Sequence, residues 1–239
     1  MIALETLVRR WFAFGFVAVL LWAAWPEGGP KRALRFLAIA ALISFAAEYA
    51  STHTGFPYGR YTYIAGTHGD ELYLSNVPLF VPLSFGVVVW AGRALALGTR
   101  AARTTIGLAA LGALLATMID LVIDPMTLRG ETWFLGELYR FDHAGIWFDV
   151  PWSNFGGWLL ASFAIIAIDD ALGRPPVTRE AFVRGRALAL GMCVFFVALA
   201  LVTAHLAIAI GGATVTVLLA AIAFSMPRRL EQRTEVTQR

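Results

Sequence analysis

Apolar residues in this chain fall in long unbroken blocks, not in the alternating or three-to-four-spaced stripes of a soluble fold. The blocks occupy residues 11–25, 33–49, 78–97, 104–123 and 148–168, and a last one runs over 182–226. That last run is 45 residues long, too long for one crossing of a bilayer, which takes about 20. A break around 203–212 makes two helices of it. The pattern predicts an all-α fold, a polytopic transmembrane bundle of about seven spans. Residues 1–226 form its single domain, and 227–239 read as a polar, disordered tail. Arg9 and Arg10 precede the first block as in a signal peptide, but Trp25-Pro26 follows where a small-residue cleavage site belongs. The block is therefore expected to remain as a helix. Pro78 is expected in the first turn of the third helix, where a missing N–H costs nothing. The fourth carries Ala109-x-x-x-Ala113 and Gly112-x-x-x-Ala116, small-residue spacings that let a neighbour approach closely.

Two connections break the economy of the rest. Residues 50–77 alternate aromatic residues with Gly, and Tyr61 and Tyr63 share one face of an extended segment. With Gly66 to Asp70 as a turn, a short β-hairpin is expected there. Residues 124–150 carry tryptophans, acids and a histidine between two apolar runs, with Asp124-Pro125 expected to end the fourth helix. Long loops loaded in this way carry function more often than not. An interfacial belt explains the tryptophans but not acids placed within the membrane.

Composition agrees with a membrane protein: 59% hydrophobic and 15% charged, with mean hydropathy +0.69. The net charge of +3 and pI near 9.3 come from arginines at helix ends. The implied partner is the lipid bilayer and not nucleic acid. Cys193 is the only cysteine, which excludes a disulfide framework and a cysteine-based metal site. With seven spans, fourteen basic residues fall on one face and five on the other; with six the split is ten to nine. The positive-inside rule then favours seven spans, in a bacterial or archaeal cytoplasmic membrane. The amino terminus is expected outside and the carboxyl tail in the cytoplasm, although Arg9 and Arg10 pull locally the other way. Both elaborate loops then share the non-cytoplasmic face.

Glu48 lies 15 positions into the second block and Asp120 16 into the fourth. At 1.5 Å per residue both sit about 22–24 Å along their helices, at similar depth. Asp124 is one turn beyond Asp120, on the same face. All three acids lie in the last turns of helices, where the dipole disfavours an anion. Burial acts in the same sense, which is how a carboxylic acid is held neutral as a proton donor. Asp149 precedes the fifth helix, where the dipole favours the ionised form. Hydrogen bonds between helices are the plainer use for Glu48 and Asp120. Asp169 and Asp170 fall at the other end of the fifth helix, and replacing them by Asn is expected to do little to turnover. His53, His68 and His143 share the outer face and His205 stands apart, without paired metal-ligand spacing; no metal is expected. No phosphate loop, nucleophile elbow or dinucleotide fingerprint occurs.

The two loops also resemble a known family. Glu48, the run Thr54-Gly55-Phe56-Pro57-Tyr58-Gly59-Arg60-Tyr61-Thr62-Tyr63, Val77-Pro78-Leu79 and Pro82 resemble one signature of the CruF-type membrane carotenoid hydratases. Asp120, Asp124-Pro125, Trp133, Pro151-Trp152-Ser153-Asn154-Phe155 and Gly157-Trp158 resemble the other. The match covers about residues 45–160. It implies a long polyene substrate with an open isoprenoid end and water added across its terminal C=C to give a tertiary alcohol. Such chemistry needs a proton donor, aromatic faces for a tertiary carbocation, a placed water and a base, and no cofactor. Glu48, Asp120 and Asp124 are the candidate acids. Asn154 and Asp149 are candidates to position and deprotonate the water. Phe56, Tyr58, Arg60, Tyr61, Tyr63, Trp133, Trp147 and Trp152 are the candidate substrate-binding residues. A carotenoid-binding or transport protein using the same acids as a proton relay is the rival class, and a cyclase or isomerase of the polyene end is another.

Overall fold

The computed structural model describes residues 2–64, 71–174 and 178–225. Eight helices are present among them: α1 (Ile2–Arg9), α2 (Trp11–Ala24), α3 (Gly29–Thr54), α4 (Phe80–Ala96), α5 (Thr105–Thr127), α6 (Trp152–Ala171), α7 (Arg179–Val202) and α8 (Leu206–Ser225). By length and composition α3, α5, α7 and α8 suffice to cross a membrane, while α2 and α4 are shorter apolar helices. The long final block breaks at 203–205, where Ala204 takes a positive φ of 61°. The expected tail, 227–239, lies outside the described residues.

Helix α5 is the centre of the bundle and packs on α4, α6, α7 and α8; α3 lies against α4 and α6, and α2 against α4 and α7. The small residues of α5 permit this. A Cβ on Gly92 of α4 would meet the Ala116 nitrogen at 2.5 Å and the Gly112 oxygen at 2.6 Å. Helix ends follow local chemistry. Thr104 caps α5 by accepting from the Gly107 N–H, and Thr178 caps α7 by accepting from Ala181. Gly55, at φ 84°, ends α3 in the left-handed region that a side chain disfavours.

Two expectations about local structure are corrected. Pro78 is not in a helix; it pairs in a two-residue strand, and α4 starts at Phe80. Helix α5 does not stop at Asp124-Pro125 but continues to Thr127. The Leu121 carbonyl, which a residue with an N–H at 125 would have satisfied, instead accepts the Trp147 indole N–H at 2.9 Å. A side chain from the following loop thus offsets the missing donor. Tyr61 and Tyr63 also have a partner far along the chain. Their strand, β1 (Tyr61–Tyr63), pairs antiparallel with β4 (Tyr139–Phe141) of the second loop, Tyr61 opposite Phe141 and Tyr63 opposite Tyr139. A hairpin does occur further on, between β2 (Tyr73–Leu74) and β3 (Val77–Pro78). The expected turn at Gly66 to Asp70, and His68 with it, lies outside the described residues.

The end of the bundle away from these strands is tied by buried ion pairs. Arg93, fully buried, meets Glu27 at 2.9 Å. Arg32 makes a two-pronged contact with Asp169, Arg35 adds a third at 3.2 Å, and Asp170 pairs with Arg174 and Thr105. Asp169 and Asp170 are therefore remote from the elaborate loops and anchor this end of the bundle. Among the described residues the other end has one such tie. Arg10 is buried and forks onto Glu71 at 2.8 Å. It also donates to the Leu135 carbonyl and lies 4.7 Å from the centre of the Phe80 ring.

Candidate active site

Where the β1–β4 pair closes over the ends of α3 and α5, a cavity with about 950 Å3 of empty space, its mouth included, opens among α2, α4, α5, α6 and α7. Most of its lining is aromatic or aliphatic. Glu48, Asp120, Asp124 and Asn154 are its buried polar wall. Glu48 is six residues from the end of α3 and Asp120 seven from the end of α5, so both lie about 9–10 Å below their helix ends.

These groups are connected. Asn154, in the first turn of α6, points its amide nitrogen at both aspartates, 2.6 Å from Asp124 Oδ2 and 3.2 Å from Asp120 Oδ2. Tyr139 donates to Asp124 Oδ1 at 3.1 Å. Asp120 Oδ1 is buried with no hydrogen-bond partner. Glu48 Oε2 accepts from Tyr63 at 2.6 Å and from Tyr61. Alternation along β1 puts both tyrosines on one face. Burial, with the nearby Glu48 carboxylate next, pushes the Tyr61 and Tyr63 hydroxyls well above the usual tyrosine range. Burial followed by Asp124 does the same for Tyr139, so all three remain donors. The rings of Tyr61, Tyr63, Tyr139 and Phe141 meet edge-on or tilted, with centroids 5.4–6.2 Å apart. They form an aromatic cage beside the carboxyl groups. The arrangement can exchange protons with a guest, shelter a positive charge and exclude bulk water.

Not every expected residue is here. Glu48, Tyr61, Tyr63, Asp120, Asp124, Trp133 and Asn154 line the cavity. Tyr58 is buried behind the wall, filling the space over Gly157. Asp149 is turned away: its side chain is 61% exposed and paired with Arg129 at 2.8 Å. It precedes α6, which begins at Trp152, but the loop takes positive φ at Phe148 and Asp149, and the side chain is held by Arg129 and not by the helix start. Arg60 is exposed and faces Asp142 at 3.7 Å. Phe56 and Trp152 are exposed, and Trp147 is occupied in supporting α5. His53, in the last turn of α3, and His143, in the second loop, are exposed, and His205 contacts Thr132.

The sequence reading missed Tyr139 and Phe141, although Tyr-Arg-Phe repeats the alternation of Tyr61-Thr-Tyr. It also missed Phe12, Phe16 and Phe80, whose position inside apolar helices gave no signal. Arg10, counted only as a charge, forms the clasp above them.

A helical membrane-type bundle with a buried three-carboxyl site under an aromatic cage is the class defined by fold and site. The particular family follows from comparison with known proteins. The family model described as "Carotenoid biosynthesis protein" matches residues 10–226, and the chain belongs to that family. The bisanhydrobacterioruberin hydratase of Haloarcula japonica is 34% identical over 155 residues, covering 63% of this chain and 49% of that protein. The chain thus spans about half the length of this relative. No solved structure matches it.

Proposed function

We propose that this protein is a carotenoid hydratase that adds water across the terminal C=C of an acyclic polyene end and needs no cofactor. The observation carrying this reading is the cavity itself: Glu48, Asp120 and Asp124 facing apolar space beside four aromatic rings. The name of the relative agrees with it. Asp120 and Asp124, bridged by one amide, hold a proton between them as like charges in close contact do. That proton passes to the less substituted alkene carbon, whose π electrons form the new C–H bond and leave a tertiary carbocation. The faces of Tyr61, Tyr63, Tyr139 and Phe141 stabilise the cation. Water attacks it, forming the C–O bond, and its surplus proton goes to Glu48. Return of that proton to the aspartate pair through water resets the site. Glu48 therefore replaces Asp149 as base.

Expressed with an acyclic-ended carotenoid in water labelled with heavy oxygen, the protein yields a product heavier by one labelled water. A polyene of unchanged mass identifies a carrier, and oxygen drawn from labelled dioxygen identifies an oxygenase; either result ends the hydratase reading. The same proposal places seven spans in the membrane, with the cavity mouth on the non-cytoplasmic side. A reporter fused after Arg239 then reads as cytoplasmic and one inserted near Gly66 as external. Both on one side would refute that orientation.

A further inference from the structure

The wall of the cavity is uneven. Toward α3 and α6 it is tightly closed: a Cβ on Gly157 would strike the Tyr58 ring at 2.3 Å, and Trp158 stacks on Phe85 with centroids 3.8 Å apart. Above, the Arg10 clasp joins the start of α2 to both loops. Toward α2 and α7 the wall is made of rings only half-buried, Phe12, Phe16 and Trp133, backed by Phe196. These rings continue outward without a gap. Phe12 and Trp133 meet Phe134 at 5.1 and 4.8 Å, and Phe134 stacks on Trp11 at 5.8 Å. Phe134 is 50% exposed and Trp11 61%. Phe12 and Phe16 lie one and five residues into α2, within about 8 Å of its end and so close to the level of the acids.

Resting on the hydratase reading, the geometry points to this aromatic series as a lateral site for the tail of the polyene. The terminal alkene sits among Glu48, Asp120 and Asp124, and the rest of the conjugated chain leaves between α2 and the Trp133–Phe134 segment. It lies against Trp11 and Phe134 in the hydrocarbon. A long apolar chain does not leave through the mouth into water, because every carbon left exposed there forgoes the gain from burial in hydrocarbon. Ring faces, in contrast, give a flat conjugated chain favourable offset contacts. The closed α3–α6 wall leaves the α2–α7 side as its way into lipid.

The experiment is photolabelling of the full chain in membranes containing an acyclic-ended carotenoid. A photoreactive phenylalanine analogue replaces Trp11 or Phe134. In controls it replaces Phe56 or Trp152 on the α3–α6 side, or Val217 on an exposed face of α8. Each aromatic position exchanges one exposed ring for another. A tail held in place raises its local concentration, so polyene attaches at positions 11 and 134 at least about 10-fold more than at 217. Equal labelling everywhere, labelling concentrated at 56 or 152, or no labelling at either 11 or 134 overturns the tail site. The label reports binding whether or not water is added. Labelling at 134 with a polyene of unchanged mass upholds the tail site and sinks the hydratase. Hydration with labelling at 152 does the reverse.

Discussion

Glu48→Gln removes the base while keeping its shape. The amide oxygen of glutamine can still accept from Tyr61 and Tyr63, the two hydroxyls that meet Glu48 Oε2. The fold is therefore expected to hold and the loss to be chemical. Losing a general base costs ~100-fold or more in turnover, about 2.7 kcal/mol of barrier. The tyrosines provide a graded comparison. Tyr61→Phe or Tyr63→Phe deletes one hydrogen bond to a charged acceptor, about 1.5–3 kcal/mol, or ~10- to 150-fold in rate at 1.36 kcal/mol per tenfold. Both bonds end on one oxygen, so the double variant should fall short of the product of the two effects. The assay is single-turnover conversion of an acyclic-ended carotenoid in membranes, normalised to folded protein and read as gain of one water. Near-parent turnover in Glu48→Gln at normal protein levels would refute this assignment of the base. Equal losses in Glu48→Gln and in each tyrosine variant, together with lower folded yield, would show that the cluster is structural.

Three further outcomes are expected. Asp124→Asn keeps one acceptor, for the Asn154 amide, and turns its NH2 to the Tyr139 hydroxyl, which can accept in place of donating, but it cannot carry the shared proton, so turnover falls ~100-fold or more; unchanged turnover would place the donor elsewhere. Asp169→Asn leaves the buried Arg32 without its carboxylate, at about 3–5 kcal/mol and roughly 6–20 °C in melting temperature, while turnover per folded molecule is unaffected; an unchanged melting temperature contradicts the anchor role. Tyr61, Tyr63 and Tyr139 are held well above the usual tyrosine range. Their contribution to stability is therefore complete below the unfolded value, about pH 10. It declines as pH rises further, because the unfolded chain ionises first. Tyrosinate absorbance from the folded protein near pH 10 should show these three missing, and their titration at the ordinary value would contradict their burial.

Much of the helical framework was legible because lipid imposes a simple rule: apolar runs of fixed length, basic residues at their ends and small residues where helices meet. Residues 182–226 read as two helices for that reason alone, and Gly112 and Ala116 marked the approach of α4. The depth of Glu48 and Asp120 also followed from counting along helices, since rise per residue is constant. Tertiary structure decided what depends on partners distant in sequence. Tyr61 to Tyr63 could pair with any free strand edge, and only the folded chain brings Tyr139 to Phe141 alongside. Pro125 leaves the Leu121 carbonyl without its helical donor, and Trp147, 22 residues on, supplies one. Asp149 precedes α6 as its place in the chain implied, but its side chain goes to Arg129, 20 residues back, and stays outside the cavity. Arg10 looked like a surface charge, because nothing in its neighbours shows that Glu71, 61 residues away, will bury it. Local pattern fixes where the chain is helical and how deep its acids lie. Which acids meet, and what closes over them, is set by contacts that no window of sequence contains.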